Sequence, residues 1–135
     1  MKIAQTLKSY FGLITVLLIV FGLRLPSFFE PYWYGDEGIY LAIGQAVQRG
    51  AVLYRDIWDN KTPLLYLIYA IHPTLLWAKI SATAFILATC IVIYFLSKKI
   101  FASTKLSTVY SLLTTALIGI FLSAPLLEGT IANAE

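Results

Sequence analysis

The sequence predicts an all-α, polytopic transmembrane helical protein with three spans, plus amphipathic or re-entrant helices in its first external loop. Three observations carry that prediction. Hydrophobic residues make up 59% of the 135 and charged residues 13%, at a mean hydropathy of +0.79, whereas soluble domains average about 25% charged. Three long runs carry no charge: between Lys8 and Arg24, from Ser81 to Ser97, and from Leu106 to Leu127. The charges outside those runs are sorted by sign along the chain, as topology signals are.

The first span is expected over residues 9–29, long enough for a bilayer core that needs about 20 apolar residues. Lys2 and Lys8 precede it, and Arg24-Leu25-Pro26-Ser27-Phe28-Phe29 contains no small-x-small cleavage site, so an uncleaved anchor is expected. Arg24 would then reach outward to the lipid headgroups. An external loop, 26–78, follows. Within it the apolar positions Ile39, Tyr40, Ile43, Ala46 and Val47 recur at threes and fours, predicting a helix over 37–49 closed by Gly50. Asp36 falls at its N-cap and Glu37 in its first turn, where backbone N–H groups and the helix dipole favour negative charge.

A second interfacial helix is expected over 63–77, apolar but interrupted by Pro63, His72 and Pro73. Were it to cross the bilayer, Lys98, Lys99 and Lys105 would fall outside. With it at the interface, spans at 80–97 and 105–126 place Lys2, Lys8, Lys98, Lys99 and Lys105 inside, and all seven acids outside. The positive-inside bias selects the second arrangement, as do the short length and the prolines. The N-terminus is then cytoplasmic, the loop bearing Asp36 is external, and a second external loop starts over 127–135. An integral protein of the plasma or inner membrane is expected, with membrane lipid as its surroundings. The net charge of +3 belongs to span flanks and forms no stripe, so nucleic acid is not expected as a partner. Cys90 is the only cysteine, so no intrachain disulfide can form.

Asp36 and Glu37, adjacent acids at the mouth of a span, are the leading catalytic candidates, because ionised groups at membrane depth cost several kcal/mol unless a polar cavity receives them. The plainer alternative is a capped amphipathic helix. The cluster Tyr54-Arg55-Asp56-Ile57-Trp58-Asp59-Asn60-Lys61-Thr62-Pro63 mixes both charge signs with aromatics. Arg55 and Lys61 run against the external charge bias, which points to an anionic phosphate or to salt bridges with Asp56 or Asp59. Trp58, Tyr54, Tyr32, Trp33 and Tyr34 also fit an interfacial aromatic belt, and His72 fits a structural role.

Gly35-Asp36-Glu37-x-x-Tyr40, the helix ending at Gly50, Tyr54-Arg55-Asp56 and Lys61-Thr62-Pro63-Leu64-Leu65-Tyr66 together resemble the first external loop of GT-C fold glycosyltransferases. The likeness is to the protein O-mannosyltransferase group, which includes lipid A aminoarabinose transferases. Lys98-Lys99-Ile100-Phe101 resembles the basic turn after that family's second span, and Pro125 to Glu135 the start of its second external loop. One departure is Asn60-Lys61-Thr62-Pro63, where some relatives carry an acid and a second proline; Asp59 or Asp56 would have to substitute there.

The resemblance implies an enzyme that moves a sugar from a polyprenyl-phosphate carrier to an acceptor on the external face. Asp36 would be its catalytic carboxylate, Glu37 its neighbour, and Tyr40, Arg55, Asp56, Asp59, Lys61 and Glu135 its substrate-binding residues. Glu128 is an alternative to Glu135. A divalent cation shared by Asp36 and Glu135 is left open, and donor sugar and acceptor are not implied. Family members are several times longer, so the resemblance also implies an N-terminal portion that would not turn over alone. The competing expectation is a small non-enzymatic integral membrane protein or transporter subunit.

Overall fold

The computed structural model describes residues 2–31 and 35–124. Its elements are α1 (Lys2–Arg24), a 3-10 turn (Leu25–Phe29), α2 (Gly35–Gln48), α3 (Pro63–Ile71), α4 (Leu75–Ile100) and α5 (Ser107–Ser123). The described residues contain no strand, only an isolated bridge between Leu53 and Ile57. Two helical stretches, Leu7–Phe29 and Leu75–Ile100, are long and apolar enough to cross a membrane, and only 22% of the most apolar window of each is buried. A core helix of a soluble protein would be mostly covered, so these faces fit lipid better than water. α5 is also apolar but has 17 residues.

Prolines and a glycine set the ends. Pro26 disfavours helical backbone at Leu25, so α1 stops at Arg24 and tightens into the 3-10 turn. Gly50 takes φ +98, and its N–H bonds the Val47 carbonyl at 2.9 Å while Ala51 N–H bonds the Ala46 carbonyl at 3.0 Å. That Schellman pattern closes α2. The expected helix over 63–77 is corrected: α3 ends at Ile71 because Pro73 forces His72 into extended backbone (φ −152, ψ 93), and Leu75–Trp77 open α4 instead. The stretch expected as a span at 80–97 therefore lies inside a longer helix.

The described chain separates into two compact units, 2–25 with 83–124, and 26–82. In the first, small residues admit close helix approach. A methyl added at Gly119 would stand 2.4 Å from a Val20 methyl and 3.2 Å from Cys90 Sγ, and one at Gly12 would stand 2.7 Å from Leu112. The buried hydroxyls of Ser111, Thr115 and Ser123 each donate to the carbonyl four residues back at 2.7–2.8 Å, so none faces apolar surroundings unsatisfied. Tyr94 and Ser9 share a short hydroxyl contact, and Lys98 Nζ donates to Ser9 Oγ at 3.0 Å. Arg24 departs from the headgroup-seeking expectation: it is fully buried and its Nε donates to Thr83 Oγ1 at 3.3 Å.

In the second unit, Tyr40, Leu41 and Ile43 of α2 pack on Tyr66 and Tyr69 of α3 and Ala78 of α4. α3 turns these tyrosines inward and leaves Leu64, Leu67 and Ile71 exposed on its other side.

Candidate active site

α2 buries Glu37, Tyr40, Leu41, Ile43 and Gly44, spaced as one stripe of a 3.6-residue helix. Asp36, one position earlier than Glu37, remains half-buried at the stripe's edge. It lies in the first helical turn and not at the cap, but the dipole argument is unchanged because the field persists through that turn. Tyr40, four residues on, is its neighbour along the helix, and the Tyr40 hydroxyl donates to Asp36 Oδ2 over a long 3.4 Å.

Tyr40 is also the centre of an aromatic trio. Its ring meets Tyr66 at 6.0 Å and 64° and Tyr69 at 5.9 Å and 78°, both edge-to-face geometries that aromatic quadrupoles favour. Tyr66 carries the loop before α3. Its hydroxyl donates to Asp59 Oδ2 at 2.7 Å and accepts from the Lys61 backbone N–H at 3.2 Å. The Tyr54 hydroxyl donates to the Lys61 carbonyl at 2.6 Å, and Asp59 Oδ1 accepts the Asn60 N–H at 2.7 Å. Burial, then the charge and hydrogen bond of Asp36, then the charge of Asp59 push the Tyr40 hydroxyl far above its ordinary value. Both carboxylates therefore act on one phenol. Tyr66 is pushed up to about 12, first by burial and then by its bond to Asp59, so the cluster's hydroxyls remain proton donors throughout the neutral range.

The loop itself is tightly held. Tyr54 has φ 63, a left-handed conformation that costs a non-glycine residue about 1–3 kcal/mol. Tyr54 N–H bonds the Ile57 carbonyl at 2.7 Å, Asp56 N–H bonds the Val52 carbonyl at 2.9 Å, and Asp56 Oδ2 accepts the Val52 N–H at 2.8 Å. Arg55 grips Asp56 through Nε at 2.8 Å and through its terminal nitrogen at 2.9 Å. Arg55 in turn, and then the Val52 N–H, hold the Asp56 carboxyl below the usual range. The salt bridge to Asp56 expected of Arg55 is thus present. With Arg55 71% and Asp56 39% exposed, this pair is open to water and adds little stability.

Asp36, Tyr40, Asp59 and the Lys61 backbone are thus tied into one tyrosine cluster, while Arg55 and Asp56 pair with each other at the surface. Glu37 does not share the surface of Asp36. It is fully buried, with Oε1 2.8 Å from Lys79 Nζ and Lys79 itself 1% exposed. Glu135, Glu128, Tyr32, Trp33 and Tyr34 lie outside the described residues. His72 is exposed and exchanges a 3.2 Å hydrogen bond with Thr74 Oγ1. Among the described residues no three His, Cys, Asp or Glu gather closely enough to hold a metal ion.

Lys79 and Tyr69 were not among the residues singled out from sequence, and Tyr66 stood there only as the end of the Lys61–Tyr66 motif, with no role of its own. Lys79 had a readable signal: it is a lone charge at the head of an apolar run, and such a residue calls for a partner. The uncharged stretch Ile80–Ser97 that follows it is about 27 Å long at 1.5 Å per residue, close to a hydrocarbon core of about 30 Å. No protein family, curated protein or solved structure matches the chain.

Proposed function

We propose that this protein is a membrane-embedded glycosyltransferase of the GT-C type, in which Asp36 accepts a proton from the acceptor hydroxyl while a sugar leaves its polyprenyl phosphate. The observation that carries the reading is the convergence of Asp36 and Asp59 on one tyrosine cluster at the start of a helix. A carboxylate within about 3 Å of an attacking hydroxyl can take its proton, and the phosphate departs with the electrons of the broken C–O bond. Asp36 is suited to the role by its partial exposure and by a helix start that is packed from behind. Asp59, fixed by Tyr66, would orient sugar hydroxyls, and positive charge from Lys61 would favour the leaving phosphate.

The same reading takes α1, α4 and α5 as three spans, with α2 and α3 at the external interface and the exposed Leu64, Leu67 and Ile71 against lipid. Asp36→Asn removes the proton acceptor and leaves shape nearly unchanged. In membranes supplied with a polyprenyl-phosphate sugar, this variant should lose transfer by at least about a hundredfold relative to the parent. Transfer at the unaltered rate would sink the proposal. The alternative, a non-enzymatic integral membrane protein, is favoured by one observation, the tying of Glu37, Arg55 and Asp56 into ion pairs, and predicts no transfer by either protein.

A further inference from the structure

We infer that Lys79 is a positioning residue: through its buried ion pair with Glu37 it pins the first turn of α2, and so sets where Asp36 stands. The functional half of this inference rests on the role proposed for Asp36; the structural half does not. Glu37 and Lys79 are 0% and 1% exposed and approach to 2.8 Å, yet neither Glu37 oxygen has a hydrogen bond of good geometry among the described residues. Packed apolar residues commonly match or exceed the stability of such a pair, so stability is a poor account of its presence. What an ion pair supplies and an apolar contact does not is a distance-dependent attraction between two particular charged groups.

The tie lies where it matters. Glu37 is adjacent to Asp36, in a helical turn whose first four N–H groups have no partner within the helix. Burial first, and then the charge of the nearby Glu37 carboxylate, suppress ionisation of Tyr69 on α3, whose ring meets that of Tyr40 edge-to-face. Tyr66, whose ring also meets Tyr40, holds the Asp59 carboxylate and the Lys61 backbone N–H through its hydroxyl. Lys79 is the cation the structure gives Glu37, and it arrives from α4, an element separate from the α2–α3 pair.

Amide hydrogen exchange in lipid nanodiscs tests this directly, read at Ile39, Tyr40 and Leu41, whose N–H groups bond back to the carbonyls of Gly35, Asp36 and Glu37. Lys79→Met should speed exchange there at least tenfold, and Lys79→Arg should keep it within threefold of the parent. The deciding variant is Glu37→Leu with Lys79→Met, which removes both charges. It should restore protection at Ile43–Val47 and overall thermal stability, while exchange at Ile39–Leu41 stays at least tenfold fast. Recovery of Ile39–Leu41 with the rest would overturn the inference, since the pair would then be packing alone. So would unchanged exchange in Lys79→Met. Sugar transfer measured on the same samples separates the two proposals: kcat down tenfold with KM unchanged in the double variant supports positioning of Asp36. Absence of transfer by the parent removes the enzymatic reading and leaves the exchange result to decide the pin.

Discussion

Replacing Gly44 with alanine tests the packing that brings the tyrosine cluster together. The added methyl would stand 2.8 Å from Tyr69 Cβ, 2.9 Å from the Tyr69 carbonyl carbon and 3.1 Å from the Ala70 nitrogen. Carbon atoms in contact settle at about 3.5–4.0 Å, so α2 and α3 must part by up to about 1 Å. Two of those three obstacles are backbone atoms, which cannot swing aside as a side chain can. Overpacking of this kind costs about 1–3 kcal/mol, set against a gain of up to about 1 kcal/mol because alanine favours helix over glycine.

Gly38→Ala supplies the control. It lies on the same helix with nothing within 4 Å of an added methyl, so it receives only the propensity gain, reduced by its place near the helix start. The difference between the two variants isolates the helix crossing at about 1–3 kcal/mol. Reversible unfolding in bicelles, followed by far-ultraviolet circular dichroism, measures both. Gly44→Ala should lower stability while Gly38→Ala raises it or leaves it level. Equal shifts for the two would refute the close crossing and the tyrosine placement built on it.

Alkaline pH should weaken the same unit. Tyr66 ionises near 12 in the folded chain against an ordinary value of 10.0, and Tyr40 and Tyr69 are raised further. Above pH 10 the unfolded chain gives up phenolic protons that the folded one keeps, so stability present below pH 10 is lost as pH climbs toward 12. Phenolate absorbance should then appear together with loss of helix; phenolate forming with full helicity retained would contradict the buried cluster. Tyr66→Phe leaves the Asp59 carboxylate and the Lys61 N–H without their shared partner. It should destabilise by about 1–3 kcal/mol and speed proteolysis of the 52–61 loop; unaltered resistance would count against Tyr66 as the loop's anchor. For orientation, cysteines at positions 59 and 103 should react from outside and inside the cell respectively, and the reverse pattern would invert the topology.

Local features were legible in the sequence and long-range ones were not. α2 showed itself through its threes-and-fours periodicity and Gly50, and its observed ends, Gly35 and Gln48, differ from the expected 37–49 by two residues and one. Asp36 and Tyr40 could be paired by helical spacing alone. The His72-Pro73 step was visible, yet the apolar run through it hid the break between α3 and α4, since hydropathy does not register the steric demand of proline on its predecessor. Asp59 meets Tyr66 only because an irregular loop folds back, with Tyr54 in a rare conformation that no periodicity encodes. The Glu37–Lys79 pair joins residues from separate helices, so neither position carries a local sign of the other. Asp36 and Glu37 are neighbours in sequence, but the turn of the helix leaves the first half-buried at the stripe's edge and turns the second fully inward.

α4 carries a lysine at each margin of its uncharged stretch, and neither can stretch freely. Lys79 is tied to Glu37, while Lys98 donates to Ser9 and lies 5.6 Å from the Tyr94 ring centre. Flanking lysines ordinarily absorb hydrophobic mismatch by extending toward water, and here both are anchored to protein. Were α4 to cross a bilayer, a thicker host would have to thin locally around it, and a thinner one would have to tilt the helix.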